Sequence, residues 1–159
     1  MKIIECNNLS PDATIAIVVS RFNEFINKNL LNSAIDVIKR IGQIKDNNIT
    51  IVWVPGAYEI PLISNILAKS KKYNAILAIG TIIKGDTNHF DYISKECISG
   101  LSKISIKNLI PIIFGLLITD NIKQAIERSG IKNTNKGAES ALTMLEMINL
   151  LNIIKSTNI

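Results

Sequence analysis

Histidine occurs once in these 159 residues, at position 89, and cysteine twice, at 6 and 97. The two cysteines lack metal-ligand spacing, and Cys97 falls on an apolar helix face, so both read as reduced structural thiols. Aromatic residues make up 5% of the chain, and none is interleaved with a basic stripe. The lysines are scattered, with only Lys39-Arg40 and Lys71-Lys72 adjacent. A net charge of +5 therefore points to a small anionic ligand rather than to nucleic acid. No apolar run approaches the ~20 residues that cross a bilayer. The opening MKIIECNNLS carries Glu5 and polar side chains, unlike a secretory signal, so the expected location is cytoplasmic, with no membrane partner. Walker, GxGxxG, HExxH and nucleophile-elbow motifs are missing as well.

Apolar side chains, by contrast, are plentiful: 47% of residues are hydrophobic and the mean hydropathy is +0.27. A chain of this length is expected to form one domain, residues 1–159, able to bury ~70% of its unfolded surface. Thr14–Ser20 (TIAIVVS) is a continuous β-branched run of the kind that parallel strands covered on both faces require. Behind it Ile26, Leu30, Ala34, Val37, Ile38 and Ile41 form a helical stripe that Gly42 is expected to end. The alternation repeats with Ile49–Val54 and a helix from about Glu59 to Ser70, with Pro61 in its first turn. It repeats again with Ala75–Ile83 and a helix over His89–Lys107, then with Ile110–Ile118 and a helix over Asn121–Arg128. A last helix, Lys136–Ile154, begins beside Asn135 as N-cap. Its apolar residues occupy more than one face, which predicts burial on two sides and an oligomer. The segment Ile3–Asn8 is free to pair with a neighbouring sheet edge. Strand–helix alternation of this kind implies right-handed crossovers and a four-stranded parallel sheet between helical layers.

Four strand ends then share one edge of the sheet, where ligands of open α/β folds bind. They offer a ring (Phe22), a glycine turn (Gly56), a hydroxyl turn (Gly85, Asp86, Thr87) and a base (His89). Imidazole is the natural proton shuttle near neutral pH. Each residue also has a plainer reading. Phe22 serves equally as a hydrophobic staple, Glu59 complements a helix dipole, and Asp86-Thr87-Asn88 resemble capping residues. Arg128, Lys132 and Lys136 form either a solvated face or a phosphate clamp.

In combination these segments resemble the lumazine synthase family: SRFNEFI at 20–26, WVPGAYEIP at 53–61, KKYNAILAIGTIIKGDTNHFDYI at 71–93, PIIFGLL at 111–117, and QAIERSG with NKGAES across 124–140. The resemblance implies a flavodoxin-like three-layer sandwich. It implies an enzyme of riboflavin biosynthesis, a transferase that joins 5-amino-6-ribitylaminouracil to 3,4-dihydroxy-2-butanone 4-phosphate without metal or cofactor. By position it makes His89 the proton shuttle and Phe22 the stacking ring. Ala57, Tyr58, Glu59, Thr81 and Ile83 hold the pyrimidine and ribityl chain, together with Phe114 and Lys136 of an adjacent chain. Asp86, Thr87 and the adjacent chain's Arg128 bind phosphate. It further implies pentamers, a 60-subunit icosahedral shell favoured by the short Gly130–Gly137 turn, and riboflavin synthase as a partner. The chain departs from the family at Lys84, where Arg is usual, at Asp86, where a small neutral residue is common, and at Ile118, where Thr is. Two alternatives accompany this reading: a flavin-binding or storage protein without turnover, and a pentameric riboflavin synthase, which has no phosphate to hold.

Overall fold

The computed structural model describes residues 1–130 and 135–157. The TIAIVVS run gives β1 (Ile15–Ser20), in which every residue is buried. A strand apolar on both faces must be covered on both and flanked by partners. It lies beside β2 (Ile49–Val54) and β3 (Ala75–Ile83), and β4 (Ile112–Thr119) completes the order β2-β1-β3-β4. All pairings are parallel, in the register Ile15↔Ile49, Ile15↔Ala75 and Ile76↔Ile112.

Period-two alternation sorts the side chains into two cores. Ile15, Ile17, Val19, Leu77 and Ile79 face α1 (Glu24–Arg40), α4 (Ile122–Ser129) and α5 (Lys136–Ser156). Ala16, Val18, Ile76 and Ala78 face α2 (Ile60–Lys69) and α3 (His89–Asn108). The result is a three-layer, flavodoxin-like α/β sandwich, as expected. No helix among the described residues is long and apolar enough to cross a membrane.

Several local signals act differently from their sequence reading. α1 stops at Arg40, but Gly42 is not its left-handed residue; Gln43 is, with φ 55°. Gly42 is needed for space instead, because a Cβ there would sit 2.6 Å from Leu145 Cδ2 and 2.7 Å from the Ile38 carbonyl oxygen. The second helix is preceded by a separate 3₁₀ turn, Ala57–Glu59. β4 begins two residues later than its apolar run: Leu109 is the left-handed cap of α3 (φ 51°), and Pro111 has no N–H to give a ladder. The Pro111 carbonyl still accepts from Ile76 N at 2.9 Å.

Asn135 caps α5 as expected, its Oδ1 accepting from Gly137 N at 2.9 Å and Ala138 N at 3.2 Å. Gly137 lets this first turn press onto α1, where a Cβ would run into the Leu30 backbone. Within the chain only one stripe of α5 is buried: Gly137, Ser140, Ala141, Met144, Leu145 and Ile148. Leu150 and Leu151 stay half-buried and Leu142 is exposed, so burial on a second side is not met by the chain's own residues. Ile3–Asn8 forms no strand. Asn149 Nδ2 donates to the carbonyls of Asn7 and Leu9 at 2.8 and 3.1 Å, so this segment lies along α5.

Candidate functional site

Parallel strands bring their C-terminal ends to one edge, and the chain order reverses between β1 and β3, the switch point at which such sheets open a crevice. A cleft of about 800 Å³ lies there. Phe22 lines it after β1, Pro55–Glu59 after β2, and Thr81, Ile82 and Ile83 at the end of β3. The turn after β3 adds Gly85 and Thr87, and the first turns of α3 add His89, Phe90 and Ile93.

The Phe22 ring is 72% exposed, which excludes the staple reading, because a stapled ring would be buried against the helix. Its backbone is fixed instead. Arg21 N donates to Val54 O at 2.8 Å and Phe22 N to Pro55 O at 3.1 Å. Asn23 takes the left-handed conformation (φ 63°) and donates from Nδ2 to Thr81 O at 2.9 Å. Opposite, Glu59 Oε2 accepts from Gly56 N at 2.8 Å, and Gly56 leaves room for that carboxylate. Among the described residues Glu59 Oε1 has no hydrogen-bond donor, so it is open to a ligand hydroxyl. The Ala57 carbonyl accepts from the buried Cys97 thiol at 3.2 Å. Burial, reinforced by the charges of Glu59 and Glu96, pushes this thiol up to about 11, so it remains a protonated donor.

His89 opens α3 and is exposed, with no side-chain hydrogen bond among the described residues. Its backbone N donates to Thr87 Oγ1 at 3.4 Å, a weak local cap, whereas the Asn88 side chain makes no capping bond. The capping reading therefore holds only for Thr87. Asp86 is exposed and does not line the cleft. Among the described residues it forms no ion pair with Lys84. No group of three or more His, Cys, Asp or Glu side chains among the described residues is arranged to hold a metal.

Phe114, Arg128 and Lys136 do not line this chain's cleft. Phe114 is half-buried on the outer strand β4, while Arg128 and Lys136 lie in the α1–α4–α5 layer, across the sheet from α3. Arg128 is exposed at the end of α4 and makes no ion pair among the described residues. Lys132 lies outside the described residues, as does the rest of 131–134 within the Gly130–Gly137 turn. Sequence reasoning missed Phe90 and Ile93 as lining residues, the Cys97 support, and the fully buried Asn27. The signal for Asn27 was available: a polar residue one turn before Leu30 and Leu31, on the buried face of α1.

A model of the 6,7-dimethyl-8-ribityllumazine synthase family matches residues 12–152. Among similar proteins, the 6,7-dimethyl-8-ribityllumazine synthase of Blochmanniella pennsylvanica (strain BPEN) is 61% identical over 158 residues, covering 99% of this chain and 100% of that protein. The protein of the same name from Yersinia pestis (strain Pestoides F) is 56% identical over 155 residues, 98% of this chain and 99% of that one. With the cleft built from the segments that carry the resemblance, the chain belongs to the 6,7-dimethyl-8-ribityllumazine synthase family.

Proposed function

We propose that this chain acts in riboflavin biosynthesis, condensing 5-amino-6-ribitylaminouracil with 3,4-dihydroxy-2-butanone 4-phosphate to 6,7-dimethyl-8-ribityllumazine. The observation that carries the reading is the cleft itself, which collects a stacking ring, an open carboxylate, a hydroxyl turn and the sole imidazole at one sheet edge. The pyrimidine stacks on Phe22, while Thr81 and Ile83 flank its edge. Ala57, Tyr58 and Glu59 hold the ribityl chain, with Glu59 Oε1 accepting from a hydroxyl. The phosphate lies over the Gly85–Thr87 turn.

Attack of the amine on the ketone gives an imine and releases water. Phosphate then leaves by elimination, and ring closure releases a second water. Each step moves protons and needs aligned partners, which positioning and a general acid/base supply without a protein nucleophile. His89, exposed at the cleft wall, is the proton shuttle. Asp86, exposed and outside the cleft lining, contributes backbone rather than carboxylate to the phosphate.

Phe114, Arg128 and Lys136 complete the site from an adjacent copy, with Arg128 as the phosphate clamp. The chain therefore acts as a single-domain subunit of a cytoplasmic pentamer, twelve of which close into a 60-subunit shell able to take riboflavin synthase as a partner. What supports assembly is the exposed apolar surface of α2 and α4, with Leu62 at 63% and Ile122 at 60% exposure.

Mixing purified protein with both substrates and following lumazine absorbance tests the activity. Product is expected to form faster than the uncatalysed condensation, and His89→Ala is expected to slow it about 10²-fold, the lower range for a general acid/base. A folded protein giving no acceleration over background sinks the reading.

A further inference from the structure

Asn27 is wholly buried in the first turns of α1, directly beneath the cleft rim. Its Nδ2 donates to Ser20 O at 2.7 Å, Ser20 Oγ at 3.0 Å and Phe22 O at 2.9 Å. Its Oδ1 accepts from Thr81 Oγ1 at 2.6 Å. Both amide protons are thus used, and the oxygen accepts one hydrogen bond. The two backbone carbonyls can only accept, so they fix the amide with Nδ2 towards β1 and Oδ1 towards β3.

Two consequences reach the cleft. Phe22 is largely exposed and belongs to neither core, so the position of its backbone decides where the ring stands. Asn27 ties that backbone to β3 through a single rigid group. The one proton of the Thr81 hydroxyl is committed to Asn27, so towards the cleft Thr81 has only lone pairs to offer. A ligand group meeting this oxygen must itself be a donor.

We propose that Asn27 is a positioning residue for the planar substrate: it presets the Phe22 stacking wall and turns Thr81 into an acceptor for a ligand N–H or O–H. The inference rests on the proposed condensation, in which the planar, donor-rich partner is the pyrimidine. The phosphate-bearing partner lies at the other end of the cleft, beside Gly85 and Thr87, and does not depend on this network.

The test combines ligand binding with kinetics. Fluorescence titration with 6,7-dimethyl-8-ribityllumazine, which needs no turnover, is expected to show Asn27→Ala binding the ring about tenfold more weakly, the order expected for losing a buried hydrogen-bond network. The KM for the pyrimidine is expected to rise by a similar factor while that for the butanone phosphate stays within about twofold. A merely structural role would lower the melting temperature and the active fraction without separating the two KM values. Should Asn27→Ala not fold, Thr81→Val removes the contact at Oδ1 together with the acceptor that the ring meets, leaves the bonds from Nδ2 to the Ser20 and Phe22 carbonyls in place, and is expected to weaken ring binding in the same selective way. If Asn27→Ala folds, adding Thr81→Val to it is expected to cost less than Thr81→Val costs alone. Unchanged ring affinity, or equal rises in both KM values, overturns the proposal. A wild type that binds the ring but does not condense the substrates refutes the proposed function alone, whereas one that binds no ring refutes both.

Discussion

Cys97 places a thiol directly behind the cleft, where it supports the Ala57 carbonyl. Burial first, then the charges of Glu59 and Glu96, raises its ionisation from 9.0 to about 11. Above pH 9 the unfolded thiol loses its proton while the folded one keeps it, so the folded state binds more protons and stability falls as pH rises. The contribution is intact below pH 9 and lost progressively towards about 11. Denaturant unfolding across this window is expected to show wild type losing on the order of 1–2 kcal/mol more than Cys97→Ala; parallel curves would contradict the assignment. At this scale the site was legible wherever residues end a strand. Phe22, Glu59, Thr81, Thr87 and His89 all line the cleft, because parallel topology forces strand ends together. Asn27 and Cys97 were not read as supports, because their roles depend on which carbonyl lies opposite, and spacing along a helix does not show that.

Elements were legible where hydrophobic period and length agreed. β2 and β3 have the boundaries their apolar runs predicted, and Asn135 caps α5. The discrepancies cluster at helix ends, where tertiary contact rather than local preference chooses the residue. Gly42 looked like a terminator but serves Leu145, and the left-handed position falls on Gln43. Leu109 is the sharpest such conflict: a residue with a bulky side chain, φ 51° and 78% exposure, capping α3. A Cβ in the left-handed region costs about 1–2 kcal/mol, and an exposed leucine returns little of it by burial. Leu109→Gly is therefore expected to raise the melting temperature by about 2–4 °C, partly offset by the greater freedom of glycine when unfolded. A lower melting temperature in a scanning thermal measurement would mean that Leu109 is covered in the assembled protein.

For the whole molecule, the decisive question is why Arg128 and His89 lie in different layers if both serve one reaction. Ala125 anchors α4 in the core shared with α1 and α5, while His89 opens a helix of the opposite layer. No side-chain rotation carries Arg128 through a four-stranded sheet into the cleft. The proposed site is thus split between copies, and this division has a consequence that single substitutions cannot mimic. His89→Ala and Arg128→Ala each disable every site when present alone. In a ring assembled at random from both variants, a site is intact when its His89 comes from the Arg128→Ala chain and its Arg128 from the neighbouring His89→Ala chain. Each condition holds half the time, so about a quarter of the sites recover, as heterologous ring contacts require. Co-refolding equal amounts of the two variants is therefore expected to restore about a quarter of wild-type turnover, read by lumazine formation, whereas mixing them after assembly restores none. Co-refolded material that assembles yet stays as inactive as its components would place both residues in one chain's own site and remove the reason for the ring.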